Sequence, residues 1–147
     1  MQVVRAVPGD EELLASLEQD ATEAALAHVF GGPYPLDAVC RRWRDELLED
    51  TVVVHLACDP EPVGYLAHDT TTLLHLGVVA HRRGTGLADD LMALLPADVA
   101  QLWVLDANAR ARRFYERRGW LLDGRVQPCE FTPFPLELGY SRQDARS

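Results

Sequence analysis

Apolar residues recur along the chain with two different periods, and the changeover between them predicts the elements. Residues 2–7 read as a short strand. Asp10 is placed to cap a helix whose first turn carries Glu11 and Glu12, acids that complement the helix dipole. Leu13, Leu14, Leu17, Ala21, Ala24 and Ala25 then recur at helical spacing to about Val29, where Gly31-Gly32-Pro33 ends the run. A second helix over 36–48 carries Val39, Trp43 and Leu47 on one face and Arg41, Arg42 and Arg44 mostly outside. Period-two and continuous apolar runs follow at 51–58, 63–67 and 70–79, the first two joined by the turn Asp59-Pro60-Glu61-Pro62 as a hairpin. After Gly84-Thr85-Gly86 a helix runs to about Leu95, with Leu87, Leu91 and Leu94 or Leu95 inward, and Pro96 stops it. A buried strand at 101–106, a helix at 109–118 followed by Gly119, and strands at 120–122 and 136–140 complete the order β-α-α-β-β-β-α-β-α-β-β. Two strand–helix units lie in the middle, and their turns are where chemistry is expected in an α/β domain.

Composition narrows the class. The 147 residues, 48% hydrophobic and 25% charged, are expected to form one domain spanning 1–147, and no linker or repeat is seen. A chain of this length buries roughly 70% of its unfolded surface and needs neither disulfides nor a metal. No stretch approaches the ~20 apolar residues of a membrane span. The N-terminus lacks the blocks of a secretory signal, so a cytoplasmic location is expected. The net charge of −9 argues against nucleic acid and leaves room for a cationic partner. All 14 basic residues are Arg. Without Lys there is no P-loop lysine, Schiff base or Ser-Lys dyad. Cys40, Cys58 and Cys129 read as reduced packing thiols, and the scattered His28, His55, His68, His75 and His81 predict no metal site.

The turn Arg82-Arg83-Gly84-Thr85-Gly86-Leu87-Ala88-Asp89 joins a strand to a helix. Backbone N–H groups of such a loop suit an anion, and Gly84 and Gly86 let main chain approach it without a Cβ. By itself this is an ordinary connection, and Asp89 stands where a dinucleotide fingerprint needs its third glycine. In the second unit, Asn108 is placed to cap a helix on which Tyr115 follows seven residues later. A rotation of about 700° turns both the same way, roughly 10 Å apart along the axis, so an amide and a phenol can follow one extended ligand. Alone, Tyr115 would read as a packed helix aromatic.

Arg83, Gly86 and Ala88 fill the fixed positions of the [Gln/Arg]-x-x-Gly-x-[Gly/Ala] loop of the GNAT superfamily of N-acetyltransferases, which this stretch resembles. Asn108, Ala111, Phe114, Tyr115, Gly119 and Trp120 match the second GNAT signature, at the usual distance downstream. The resemblance implies a central, mostly antiparallel mixed sheet of six to seven strands flanked by four helices. It implies acetyl-CoA as co-substrate, its pyrophosphate on the amides of Gly84, Thr85, Gly86, Leu87, Ala88 and Asp89 beside Arg83. It further implies pantetheine along Leu76, Gly77 and Val78, contact with Asn108, and Tyr115 donating toward the departing sulfur. Phe114 is left in the core.

Two positions depart from the pattern. Ala80 replaces a common Pro. Asp89 brings a carboxylate that ~4 Å from a phosphate would cost up to about 4 kcal/mol at an effective dielectric near 20, so Asp89 and Asp90 are expected to face solvent. The Glu that some relatives carry five residues before the Asn is Trp103 here. His75 is the first substitute as general base, with Glu130, His55 or water behind it. Phe30, Tyr34, Trp103, Phe131 and Phe134 are expected to wall the acceptor pocket and Glu130 to meet a cation, which suits a small amine better than a protein. A coenzyme-binding sensor or scaffold without transfer activity is the rival reading, and a nucleotide phosphate-binding domain a third; a monomer and a homodimer are both compatible.

Overall fold

The computed structural model describes residues 1–143 except the side chains of Ala24, Ala25 and His28, so the inward placing expected of Ala24 and Ala25, and His28, lie outside the described residues. Its strands are β1 (Gln2–Arg5), β2 (Val53–Cys58), β3 (Pro62–His68), β4 (Thr72–Val78), β5 (Gln101–Leu105), β6 (Leu121–Pro128) and β7 (Leu136–Ser141). The helices are α1 (Glu11–Phe30), α2 (Leu36–Leu48), α3 (Leu87–Met92) and α4 (Ala109–Glu116). One seven-stranded sheet takes the order β1-β2-β3-β4-β5-β7-β6, and every neighbouring pair is antiparallel except β4 with β5. The element order, the mixed sheet and the four flanking helices are as the sequence led one to expect.

β3 reads as a nearly continuous apolar run because both of its faces are covered. Tyr65 meets the edge of Trp43 from α2, with ring centroids 5.4 Å apart. A Cβ on neighbouring Gly64 would point instead at Leu87 and Leu91 of α3. Since successive strand residues face opposite ways, α2 and α3 sandwich the sheet. Trp43, Tyr65, Leu66, Leu91, Leu102, Trp120 and Tyr140 are buried in this core.

The feature that positions the site is a parting of the sheet. β4 and β5 pair only at Thr72 with Gln101 and at Leu73 with Leu102, and beyond these residues they separate. A bulge sits at the same level. Ala67 of β3 faces His75, but His68 faces Leu73, so Leu74 is an extra residue on β4. A bulge bends its strand, and from there to Val78 one edge of β4 is free of a strand partner.

Several boundaries differ from the sequence reading. Asp10 precedes α1, yet its carboxylate accepts the Val7 N–H (2.9 Å) and makes no cap bond to the helix. β4 starts at Thr72 because Asp69 Oδ1 accepts the N–H groups of Thr71 and Thr72, both at 2.8 Å. α3 stops at Met92, and the chain tightens into turns in which Leu94 N–H bonds Leu91 and Leu95 N–H bonds Met92. Leu95, not Leu94, is the buried one. β6 runs from Leu121 through Asp123-Gly124-Arg125 to Pro128, past the Leu122 expected as its end. Gly124 takes φ +89° there, absorbing a register shift against β7.

Candidate active site

Two cavities open along β4. The first, of about 550 Å³, lies against the β4–α3 turn and α4. Gly84 and Gly86 both hold positive φ, +76° and +85°, a conformation glycine adopts without Cβ strain. The loop is locked from within by Thr85 Oγ, which donates to the Arg82 carbonyl (2.6 Å). Among the described residues the N–H groups of Gly84, Thr85 and Gly86 meet no backbone oxygen, which leaves them available to an anion. Arg83 lines the cavity but donates to the Ala21 carbonyl of α1 (2.6 Å), and Arg82 pairs with Asp59 (3.0 Å).

Asp89 does not face solvent alone. Its two oxygens accept from Nε and Nη2 along one edge of the Arg118 guanidinium, which also lies 3.6 Å over the ring of Phe114. The hydrogen bond from Arg118 holds the Asp89 carboxyl below its ordinary range. The charge that threatened an anion site is therefore neutralised by a residue 29 positions away in sequence.

Tyr115 stands at the inner end of α4, in the first cavity with Asn108 and Leu76 to Val78. Asn108 caps the helix, its Oδ1 accepting the Ala111 N–H (3.2 Å), which leaves its amide NH₂ for a ligand. The Tyr115 ring is packed edge-on against Phe114 and Trp120. Its hydroxyl has no hydrogen-bond partner among the described residues. Among the described residues no buried side-chain oxygen is left unpaired, so this hydroxyl reaches the cavity surface. Burial raises the Tyr115 phenol above its usual value, so it stays protonated. Gly77 is glycine for a steric reason: a Cβ there would come within 2.2 Å of the Tyr65 ring and hydroxyl.

The second cavity, of about 680 Å³, lies between α1, α2, β4, β5 and the β6–β7 turn. Phe30, Tyr34, Trp103, Phe131 and Glu130 line it as expected, while Phe134 is exposed and outside it. His75 is on its wall, Nε2 bonded to both oxygens of Glu46 (2.8 and 2.9 Å) and its ring 4.7 Å from that of Trp43. Arg42, read from sequence as facing outward, turns into this network instead. It pairs with Glu18, with Glu46 (2.9 Å) and, more distantly, with Glu130 (3.7 Å). Trp43 Nε1 (3.1 Å) and the Tyr34 hydroxyl (3.3 Å) also donate to Glu18. Burial pushes the Glu46 carboxyl up, but the hydrogen bond from His75 and the charges of His75 and Arg42 pull it down further, so it is held ionised.

β4 passes from one cavity to the other. Thr72 to His75 line the second and Leu76 to Val78 the first. The structure thus gathers the residues expected to contact the coenzyme in one cavity, except Thr85, whose side chain is turned into its own loop. His75 and Glu130 reach the other, and His55 lines neither. Glu18, Arg42, Glu46 and Arg118 escaped the sequence reading. Only the i,i+4 spacing of Arg42 and Glu46 was open to it. Among the described residues no cluster could hold a metal, and no helix is long and apolar enough to cross a membrane.

The acetyltransferase (GNAT) domain family matches residues 13–134. No curated protein sequence matches the chain. Among solved structures, a protein assigned to the GNAT family from Desulfovibrio desulfuricans is 21% identical, with 98% of this chain and 99% of that one covered and a TM-score of 0.70. PaiA N-acetyltransferase from Thermoplasma acidophilum, in complex with coenzyme A, is 11% identical over 95% and 98% of the chains (TM-score 0.72). The ribosomal-protein-S18-alanine N-acetyltransferase of Escherichia coli is 17% identical over 99% and 95% (TM-score 0.68).

Proposed function

Because this chain belongs to the GNAT acetyltransferase family, and is thereby an acyltransferase, we propose that it moves an acetyl group from acetyl-CoA to a small cationic primary amine by direct attack. The observation that carries this reading is the division of β4. His75 lines one cavity and the next three residues line the other, so acceptor and donor would meet at a single point of the strand.

The free loop amides and the open space beside Gly84 and Gly86 suit the pyrophosphate, and the unpaired edge of β4 suits pantetheine as an added strand. The coenzyme supplies the activated acyl group. In the second cavity the carboxylates of Glu18, Glu46, Glu130 and Glu137 outnumber Arg42, and aromatic rings form much of the wall, which favours an organic cation. An amine of pKa about 10.4 costs roughly 4.6 kcal/mol to neutralise at pH 7, so a base is needed. His75 fits: with Nε2–H directed to Glu46, the Nδ1 lone pair is the one left to accept the proton. Glu46 acts through His75 and is a positioning residue.

The neutral nitrogen attacks the thioester carbon, a β4 amide near Val78 stabilises the oxyanion, and the C–S bond breaks. Even with ordinary values, proton transfer from a phenol (about 10) to a thiolate (about 8.5) is uphill by roughly 2 kcal/mol, and burial of Tyr115 widens the gap. Tyr115 therefore stabilises the thiolate by a hydrogen bond, and solvent completes its protonation. The sensor alternative loses the support of Asp89, whose charge Arg118 answers. Thiol release from acetyl-CoA with a panel of amines tests the proposal. Wild type should turn over, and Tyr115→Phe should lose roughly ten- to a thousandfold in kcat with its fold intact. Tight coenzyme binding without turnover on any amine would support the sensor.

A further inference from the structure

Six arginines line the first cavity of this acidic protein, and they fall into two groups. Arg82, Arg83 and Arg118 are engaged, with Asp59, the Ala21 carbonyl and Asp89. Arg110, Arg113 and Arg117 have no hydrogen-bond or carboxylate partner among the described residues. Arg110 and Arg113 lie on α4 and Arg117 caps its end with helical backbone, so at i, i+3 and i+7 they fall within about 60° of one another around the helix axis. Tyr115 lies well round from them, with Phe114 and Arg118 between. One wall of the cavity thus grades from a buried phenol, past the Asp89–Arg118 pair, to three exposed guanidinium groups at the rim.

This arrangement disfavours the helix by itself. Like charges three and four apart repel, and Arg110, in the first turn, opposes the dipole. The chain is rich in acids that could have answered these charges, and among the described residues none does. Guanidinium forks grouped in this way match the oxygens of a phosphate monoester.

We infer that Arg110, Arg113 and Arg117 form a phosphate-monoester site that reads the 3′-phosphate of the coenzyme and so selects it over its dephosphorylated form. The inference rests on the coenzyme reading above: a ligand with its thioester at Tyr115 and its pyrophosphate on the loop amides has its ribose phosphate left for the rim.

The test is calorimetric titration of acetyl-CoA and acetyl-3′-dephospho-CoA into wild type and into the triple variant Arg110→Gln/Arg113→Gln/Arg117→Gln. Wild type should bind acetyl-CoA roughly ten- to a hundredfold more tightly, with a preference that shrinks as salt rises. The variant should bind both forms within about threefold, with its affinity for the dephospho form at the wild-type level, which also shows that the cavity is intact. Restoring lysine at the three positions should recover part of the preference, since charge returns without the fork. Equal binding of both forms by wild type, or an undiminished preference in the variant, overturns the inference and leaves the coenzyme reading standing. Failure of wild type to bind either form overturns both.

Discussion

Glu46→Gln isolates the link between the acceptor cavity and the proton it must remove. The wild-type carboxylate holds His75 Nε2 with two oxygens at 2.8 and 2.9 Å and Arg42 Nε at 2.9 Å. Glutamine keeps the volume but offers one acceptor oxygen and no charge. Hydrogen bonds to charged groups contribute about 1.5–3 kcal/mol each, and Arg42 keeps Glu18 after the change, so a loss of about 1.5–3 kcal/mol of stability is expected. At 2–4 °C per kcal/mol for a domain of this size, Tm should fall by roughly 3–12 °C. The effect on turnover is separable from the effect on folding. A positioned base contributes about 10²–10⁴, and releasing the ring without removing it should forfeit part of that, roughly 10- to 100-fold in kcat. KM for acetyl-CoA should hold, because Glu46 lines only the second cavity. A fall in kcat with KM for acetyl-CoA unmoved is a split that a purely structural role would not give. Steady-state thiol release, with a melting curve alongside, measures both. Wild-type kcat in Glu46→Gln would refute the positioning role, and wild-type kcat in His75→Ala would refute the base itself.

Two further outcomes follow from the same structure. Arg118→Gln leaves Asp89 unanswered beside the loop amides and should raise KM for acetyl-CoA by roughly three- to tenfold, with the double variant Asp89→Asn/Arg118→Gln recovering most of it; absence of rescue would mean that Arg118 acts otherwise. Burial raises the folded-state phenols of Tyr34, Tyr65 and Tyr115 above the unfolded value near 10. Their contribution to stability is whole below that pH and lost as pH climbs toward the folded values. Urea midpoints should therefore stay level to about pH 9.5 and fall steeply above 10, and Tyr115→Phe should soften the fall.

The sequence alone determined what depends on neighbours along the chain. Periodicity is local, so α2 was legible to the residue and the element order complete. Glycines needing positive φ mark their own turns, and the two signature stretches carry the loop and Tyr115 within short spans. The strand expected to end at Leu122 runs on to Pro128, because only pairing with β7 decides that the chain continues past Gly124. The rest was tertiary. Arg42 faces the interior because Glu18, 24 residues away, waits on another helix, and Asp89 is harmless because Arg118 crosses from α4. Charge pairing acts through space and leaves no periodic trace, so no local pattern could announce it. The parting of β4 from β5 is likewise a property of the whole sheet, and it alone sets His75 and Tyr115 on opposite cavities with a common strand between them.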